Sequence, residues 1–145
     1  MVAWIISHDN RFKAANAQRG VYELTTFMGE GNAWRLVPTN FGGWPWEKET
    51  KAELDAESPL TYVDKINTPL LIIHGDQDLR TGVIQSEMLY KSLKILGKPV
   101  EYIRYPKEGH ELTRSGNPGR MMDHLLRVIE FFEQYAKHPE PVTAK

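Results

Sequence analysis

Thr68-Pro69-Leu70-Leu71-Ile72-Ile73-His74-Gly75-Asp76-Gln77-Asp78 is the stretch whose reading decides the fold. Pro69 opens it, four aliphatic residues follow without a polar interruption, and Gly75 closes it. A strand with one wet face alternates apolar and polar residues. A continuous aliphatic run between Pro and Gly reads instead as a strand buried on both faces, as in parallel sheets covered by helices. The residues downstream agree. Residues 82–96 carry Ile84, Met88, Leu89, Leu93 and Leu96 at helical spacing, and Gly97 supplies the stop. Val100-Glu101-Tyr102-Ile103-Arg104-Tyr105 is a second strand. A last helix has Asn117 as its cap and Pro118 in its first position, and its apolar stripe reads Met121, Leu125, Val128, Phe132 and Tyr135. Strand, helix, strand, helix predicts an α/β fold with parallel strands.

Upstream the pattern is looser. Met1 to His8 reads as the tail of a helix, with Val2, Ile5 and Ile6 on its apolar side. Phe12 to Ala17 is expected to form a short central strand, and Tyr22 to Met28 a helical turn. Gly29 to Lys48 reads as loop, with four glycines, two prolines and three of the four tryptophans. Glu49 to Ala56 is a short helix that stops before Ser58-Pro59. So few strands make an incomplete sheet, whose aliphatic runs demand cover on both faces and pairing on both edges. The expectation is therefore a partial domain over 1–137, a flexible tail over 138–145, and a homo-oligomer joined through an exposed sheet edge.

Composition excludes several function classes. The 145 residues carry 18 Lys and Arg against 19 Asp and Glu, a formal charge of -1. That balance gives no electrostatic reason to expect nucleic acid or an anionic membrane as partner. There is no cysteine, and the histidines at 8, 74, 110, 124 and 138 show no His-x-x-x-His spacing, so neither metal nor other cofactor is expected. No stretch approaches the roughly 20 apolar residues of a membrane span. Met1 to Ser7 is too short, and lacks the basic start, for a signal peptide. Cytoplasmic residence is the expectation, with the periplasm as the alternative.

Two segments stand where chemistry gathers in open α/β sheets, just past the carboxyl ends of strands. His74-Gly75-Asp76-Gln77-Asp78 follows the first strand, and Glu108-Gly109-His110-Glu111 follows the second. A carboxylate at 78 can accept a hydrogen bond from an imidazole at 110 and fix its tautomer, which is the acid-base part of a serine-hydrolase triad. The order acid then histidine is the one α/β-hydrolases use after their nucleophile. Gly109 would give the tight turn that aims the ring. Asp76 is the rival acid, with a turn role as its alternative, and Arg80 a candidate salt-bridge partner for either carboxylate. His74 reads as interior packing and Arg19 as either a substrate contact or a structural ion pair. Trp44 and Trp46 read as core or loop anchors, and Glu111 and Arg114 as loop braces. The third triad member does not appear. No Gly-x-Ser-x-Gly exists, and Ser7, Ser58, Ser86, Ser92 and Ser115 all lie outside a glycine-flanked strand-to-helix elbow.

With these motifs in order, the sequence resembles the prolyl oligopeptidase family of serine peptidases, in its acylaminoacyl-peptidase and dipeptidyl-aminopeptidase branch. The resemblance runs over residues 1–136. It rests on Asp9 to Ala15, Ala17-Gln18-Arg19, Phe41-Gly42-Gly43 with Pro45-Trp46-Glu47, Ser58-Pro59-Leu60, Tyr62-Val63-Asp64 and Thr68 to Gly75. Gln85, Leu89-Tyr90 and Leu93 to Gly97 extend it along the next helix, and Gly109 to Leu112 with Arg114-Ser115-Gly116 across the histidine loop. The resemblance implies the C-terminal half of an α/β-hydrolase domain, with Asp78 as triad acid and His110 as general base. It implies a nucleophile in Gly-x-Ser-x-Gly-Gly a few residues before the position of Met1, with a β-propeller and the first half of the hydrolase domain further upstream. Arg19 to Leu24 resembles the region that lines the substrate side-chain pocket, which makes Arg19, Val21 and Tyr22 candidate substrate contacts. The substrate implied for the whole protein is a peptide or acyl-peptide. The chain by itself, with two thirds of the machinery, is expected to be inactive. The competing readings are a non-catalytic module that assembles through its sheet edge, and a small esterase with an unrelated nucleophile.

Overall fold

The computed structural model describes residues 1–137. Three parallel strands, β1 (Ala15–Gln18), β2 (Leu70–Gly75) and β3 (Val100–Tyr105), lie side by side in that order. Leu70 is in register with Ala15 on one side and Val100 on the other, and Gly75 with Tyr105. The helices are α1 (Val2–His8), α2 (Leu24–Phe27), α3 (Leu36–Phe41), α4 (Lys48–Glu57), α5 (Ile84–Ile95), α6 (Leu112–Ser115) and α7 (Pro118–Phe132), with a 3₁₀ segment over Pro59–Lys65 before β2. This is the open parallel sheet flanked by helices that the aliphatic run predicts.

All six residues of β2 are buried. Its alternation sends Leu70 and Ile72 into one core with Ala3, Ile6, Ile66, Leu89 and Leu93. It sends Leu71 and Ile73 into a second core with Tyr105, Leu112 and Phe131. Each fully buried aliphatic side chain contributes about 2 kcal/mol, so the central strand ties both layers together. A third, smaller core of Phe27, Val37 and Leu54 lies under the 24–57 excursion. The helix ends follow local rules. Gly97 (φ +68°) closes α5 in a Schellman motif, its N–H reaching Lys94 O and the Lys98 N–H reaching Leu93 O. The Asn117 carboxamide accepts the N–H groups of Gly119 and Arg120 at the start of α7.

Four expectations are corrected. The first strand starts at Ala15, leaving Phe12 partly exposed, and β1 is an edge of the described sheet rather than its centre. Within the expected loop 29–48, Leu36–Phe41 is helical. Pro38 is tolerated there because first-turn N–H groups have no intrahelical partner, and Gly42 (φ +70°) ends the turn. In α7 the inward face is His124, Val128 and Phe131, continued by Tyr135 in the turn beyond it, whereas Leu125 and Phe132 point outward. That helix is apolar on two sides, so periodicity alone does not say which side meets the sheet. Trp46 is neither core nor anchor: it is 69% exposed, stacked on Trp44 with ring centroids 5.0 Å apart. The tail expected at 138–145 lies outside the described residues.

Candidate active site

Because β2 and β3 are parallel and in register, their carboxyl ends deliver their loops to the same place. The turn after β2 carries Asp78, and the loop after β3 carries His110. His110 Nδ1 lies 2.8 Å from Asp78 Oδ2. An ionised carboxylate only accepts, so Nδ1 carries a proton, and in the neutral ring Nε2 then holds the lone pair. Asp76 does not bond to the ring among the described residues: its carboxylate accepts the Lys107 N–H from the turn after β3.

Asp78 is held on every side. Its side chain is fully buried. Oδ1 accepts the N–H groups of Arg80 and Thr81 at 2.8 and 2.9 Å. Oδ2 faces His110, the Thr81 hydroxyl at 3.2 Å and His74 Nε2 at 3.2 Å. Burial alone pushes this carboxyl up, but the hydrogen bonds from His74, the Thr81 N–H, His110 and the Arg80 N–H outweigh it. They hold the group well below the usual carboxylate range. Arg80 therefore meets Asp78 through its backbone, with no ion pair from its guanidinium among the described residues.

The histidine loop is anchored from behind. The buried Glu108 accepts from Arg120 Nη1 at 2.8 Å and from the Asn117 N–H at 3.1 Å, which fastens the loop to the start of α7. The Arg120 guanidinium, against the opposing effect of burial, holds the Glu108 carboxyl below its ordinary value. The Glu108 carbonyl accepts the Gln77 N–H at 2.9 Å, joining the two loops. The glycine that permits this approach is Gly75 rather than Gly109. A Cβ on Gly75 would lie 2.3 Å from Glu108 O, whereas one on Gly109 would meet nothing closer than Gln77 O at 3.7 Å. Arg19 (φ +50°) makes no ion pair among the described residues; its guanidinium donates to the His110 carbonyl and, at 3.3 Å, to Thr113 Oγ1. Glu111 and Arg114 pair with each other on the surface, at 3.0 Å.

A cavity of about 360 Å³ opens beside the ring, lined by Val21, Leu24, Phe27, Val37, Phe41 and His110 among others. Arg19 and Arg80 stand on its wall. Of the three candidate substrate contacts, Arg19 and Val21 reach this cavity. Tyr22 lies in the core, its N–H bonded to Gln85 Oε1. Sequence reasoning missed Thr81, whose hydroxyl approaches Asp78, the Arg19 carbonyl and His110. The signal was available, since an Asp that accepts the N–H groups two and three residues on is a common turn device. It also missed the apolar cavity wall, which comes from α2 and α3 and carries no local motif.

None of the five serines hydrogen-bonds to His110 among the described residues. Ser7 bonds to Trp4 O, Ser58 to Leu54 O, and Ser86 to His74. No group of three or more His, Cys, Asp or Glu there could hold a metal ion. No helix there is long and apolar enough to cross a membrane.

Comparison with known proteins finds peptidases. The chain is 35% identical over 138 residues to an uncharacterized peptidase, YuxL, of Bacillus subtilis, covering 93% of this chain and 20% of that protein. It is 34% identical over 119 residues to dipeptidyl-peptidase 5 of Porphyromonas endodontalis, covering 80% of this chain and 17% of the relative. Among solved structures, Pyrococcus horikoshii acylaminoacyl peptidase superimposes with a TM-score of 0.86 at 30% identity, over 98% of this chain and 23% of that one. The chain thus spans about a fifth of the length of the curated relatives it matches. The family model for the prolyl oligopeptidase family matches residues 1–139, nearly end to end, and the chain belongs to that family of serine peptidases.

Proposed function

We propose that Asp78 and His110 are the acid and base of a Ser-Asp-His triad that hydrolyses a peptide or acyl-peptide bond. The observation that carries this is the 2.8 Å contact from His110 Nδ1 to a buried carboxylate, with the ring at the mouth of an apolar cavity. In that role Nε2 takes the proton of a serine hydroxyl as the oxygen attacks the scissile carbonyl. The carboxylate stabilises the imidazolium, which then protonates the leaving amine. An apolar substrate side chain fits the cavity walled by Val21, Leu24, Phe27, Val37 and Phe41.

The serine that His110 would activate is not among these 145 residues. A base with no hydroxyl to deprotonate and no oxyanion donors gives no turnover. The chain by itself is therefore expected to leave aminoacyl-nitroanilides and nitrophenyl esters unhydrolysed. Turnover that disappears in His110→Ala protein would overturn the claim of inactivity. The acid-base reading has its own test in 15N spectra of the imidazoles, where neutral His110 is expected as the Nδ1–H tautomer. An Nε2–H tautomer would overturn the pair.

A second reading, self-association, is favoured by the apolar surface left open. Met122, Leu125, Leu126, Ile129 and Phe132 are exposed on α7, and an apolar hollow lined by Val2, Ile5, Phe12 and Ala14 borders the edge strand β1. At the other edge, β3 exposes Glu101 and Arg104, charges that discourage pairing. Concentration-dependent dimers or larger species, joined on the β1 side, are expected by sedimentation. A compact monomer at every concentration counts against it.

A further inference from the structure

The triad reading leaves unused a buried titratable group that touches Asp78 itself. His74, the fifth residue of β2, has no solvent exposure. Its Nε2 lies 2.9 Å from the Thr81 carbonyl and 3.2 Å from Asp78 Oδ2. A carbonyl only accepts, so Nε2 carries the proton and directs it between these two oxygens. Nδ1 is then the acceptor, and the Ser86 hydroxyl on α5 donates to it at 2.7 Å. The relay Ser86–His74–Asp78–His110 thus runs from the first turn of α5 through the sheet to the candidate base.

We infer that His74 is a positioning residue whose Nε2–H, with its tautomer fixed by Ser86, locks the Asp78 carboxylate in the rotamer that presents Oδ2 to His110. The inference rests on the reading of Asp78 and His110 as acid and base. Packing alone does not require a histidine at this position. Its four neighbours in β2, Leu70 to Ile73, are all aliphatic, and an imidazole with both nitrogens bonded is worth burying only where its partners need it. Oδ1 is already fixed by two backbone N–H groups of its own turn. Oδ2 receives only side chains, so its direction depends on what His74 and Thr81 donate.

Three variants of the full chain test this through 15N and 1H spectra of the histidine side chains. His74→Asn keeps a polar group of similar size but ends short of the Nε2 position. His74→Gln reaches it. Ser86→Ala leaves His74 in place and removes what fixes its tautomer. Exchange of the His110 Nδ1 proton with water is expected to accelerate about tenfold in His74→Asn, and to a lesser extent in Ser86→Ala, with His74→Gln restoring most of the protection. Amide exchange in β2 serves as the internal control. A merely structural role would loosen β2 and His110 together and would not distinguish Gln from Asn.

Unchanged exchange at His110 in both His74→Asn and Ser86→Ala would overturn the inference, as would equal effects of Asn and Gln. If neither His74 variant folds, Ser86→Ala decides alone. Asp78→Asn separates the two ideas. If it shifts the His110 signals while the His74 and Ser86 changes do not, only the role of His74 fails. If it leaves His110 unchanged, the acid-base pair falls and the inference with it.

Discussion

Gly75→Ala is expected to destabilise the chain by about 3 kcal/mol and to separate Asp78 from His110. The added methyl would lie 2.3 Å from the Glu108 carbonyl oxygen, 2.6 Å from its carbon and 3.0 Å from the Gly109 oxygen. All three are backbone atoms, so no rotamer change relieves the overlap. Either the end of β2 or the histidine loop must move. The loop is pinned on its far side by Glu108 to Arg120 and Asn117, so displacement falls on the Gln77 N–H to Glu108 O bond that joins the two turns. A melting temperature roughly 10 °C lower is the expected readout. Faster exchange of the His110 Nδ1 proton with water should accompany it. Gly109→Ala is the contrast. Its methyl would meet only Gln77 O at an ordinary 3.7 Å, so stability should stay within about 1 kcal/mol of the parent. Equal melting temperatures for Gly75→Ala and Gly109→Ala would show that close approach of the two turns is not what joins Asp78 to His110.

Asp78→Asn is expected to cost about 3 kcal/mol at neutral pH and to flatten the acid limb of the stability curve. The amide can still accept the N–H groups of Arg80 and Thr81 on one oxygen. Its nitrogen, however, would face the donors at His110 Nδ1 and His74 Nε2, leaving buried groups unpaired. The sign of the pH effect follows from the depressed carboxyl. Burial opposes ionisation, yet the hydrogen bonds from His74, Thr81, His110 and Arg80 win, so folded Asp78 holds its proton less tightly than the unfolded chain does. That contribution is fully present above the ordinary carboxylate range near about 4 and is lost as pH falls through the lower folded value. Denaturant titrations of the parent should lose stability as pH drops below about 4, and those of Asp78→Asn should lose less over the same window. Parallel curves would mean that the carboxylate is not the buried, fully bonded anion on which the site depends.

Much of the fold was legible because burial on two faces leaves a mark in one dimension. Leu70 to Ile73 can be uniformly aliphatic only where helices cover both sides, and Asn117-Pro118 and Gly97 satisfy helix-end geometry with their own atoms. Asp78 and His110 were legible for a related reason. In a parallel sheet, residues just past successive strands are neighbours whatever lies between them. The α7 stripe was misread because the helix is apolar on two sides, and only the position of the sheet selects His124 and Phe131 over Leu125 and Phe132. The helix at 36–41 was hidden by the glycines and prolines around it.

What the residues determined by themselves is a covered parallel sheet with a carboxylate and an imidazole at its carboxyl ends, since pattern and strand order suffice for that. The tertiary structure alone decided that Gly75 rather than Gly109 lets the turns close, and that His74, backed by Ser86, turns its Nε2 to Asp78. The first of these depends on the distance between segments about 30 residues apart in sequence, where an ångström of backbone separates a hydrogen bond from a clash. No local propensity encodes such a distance.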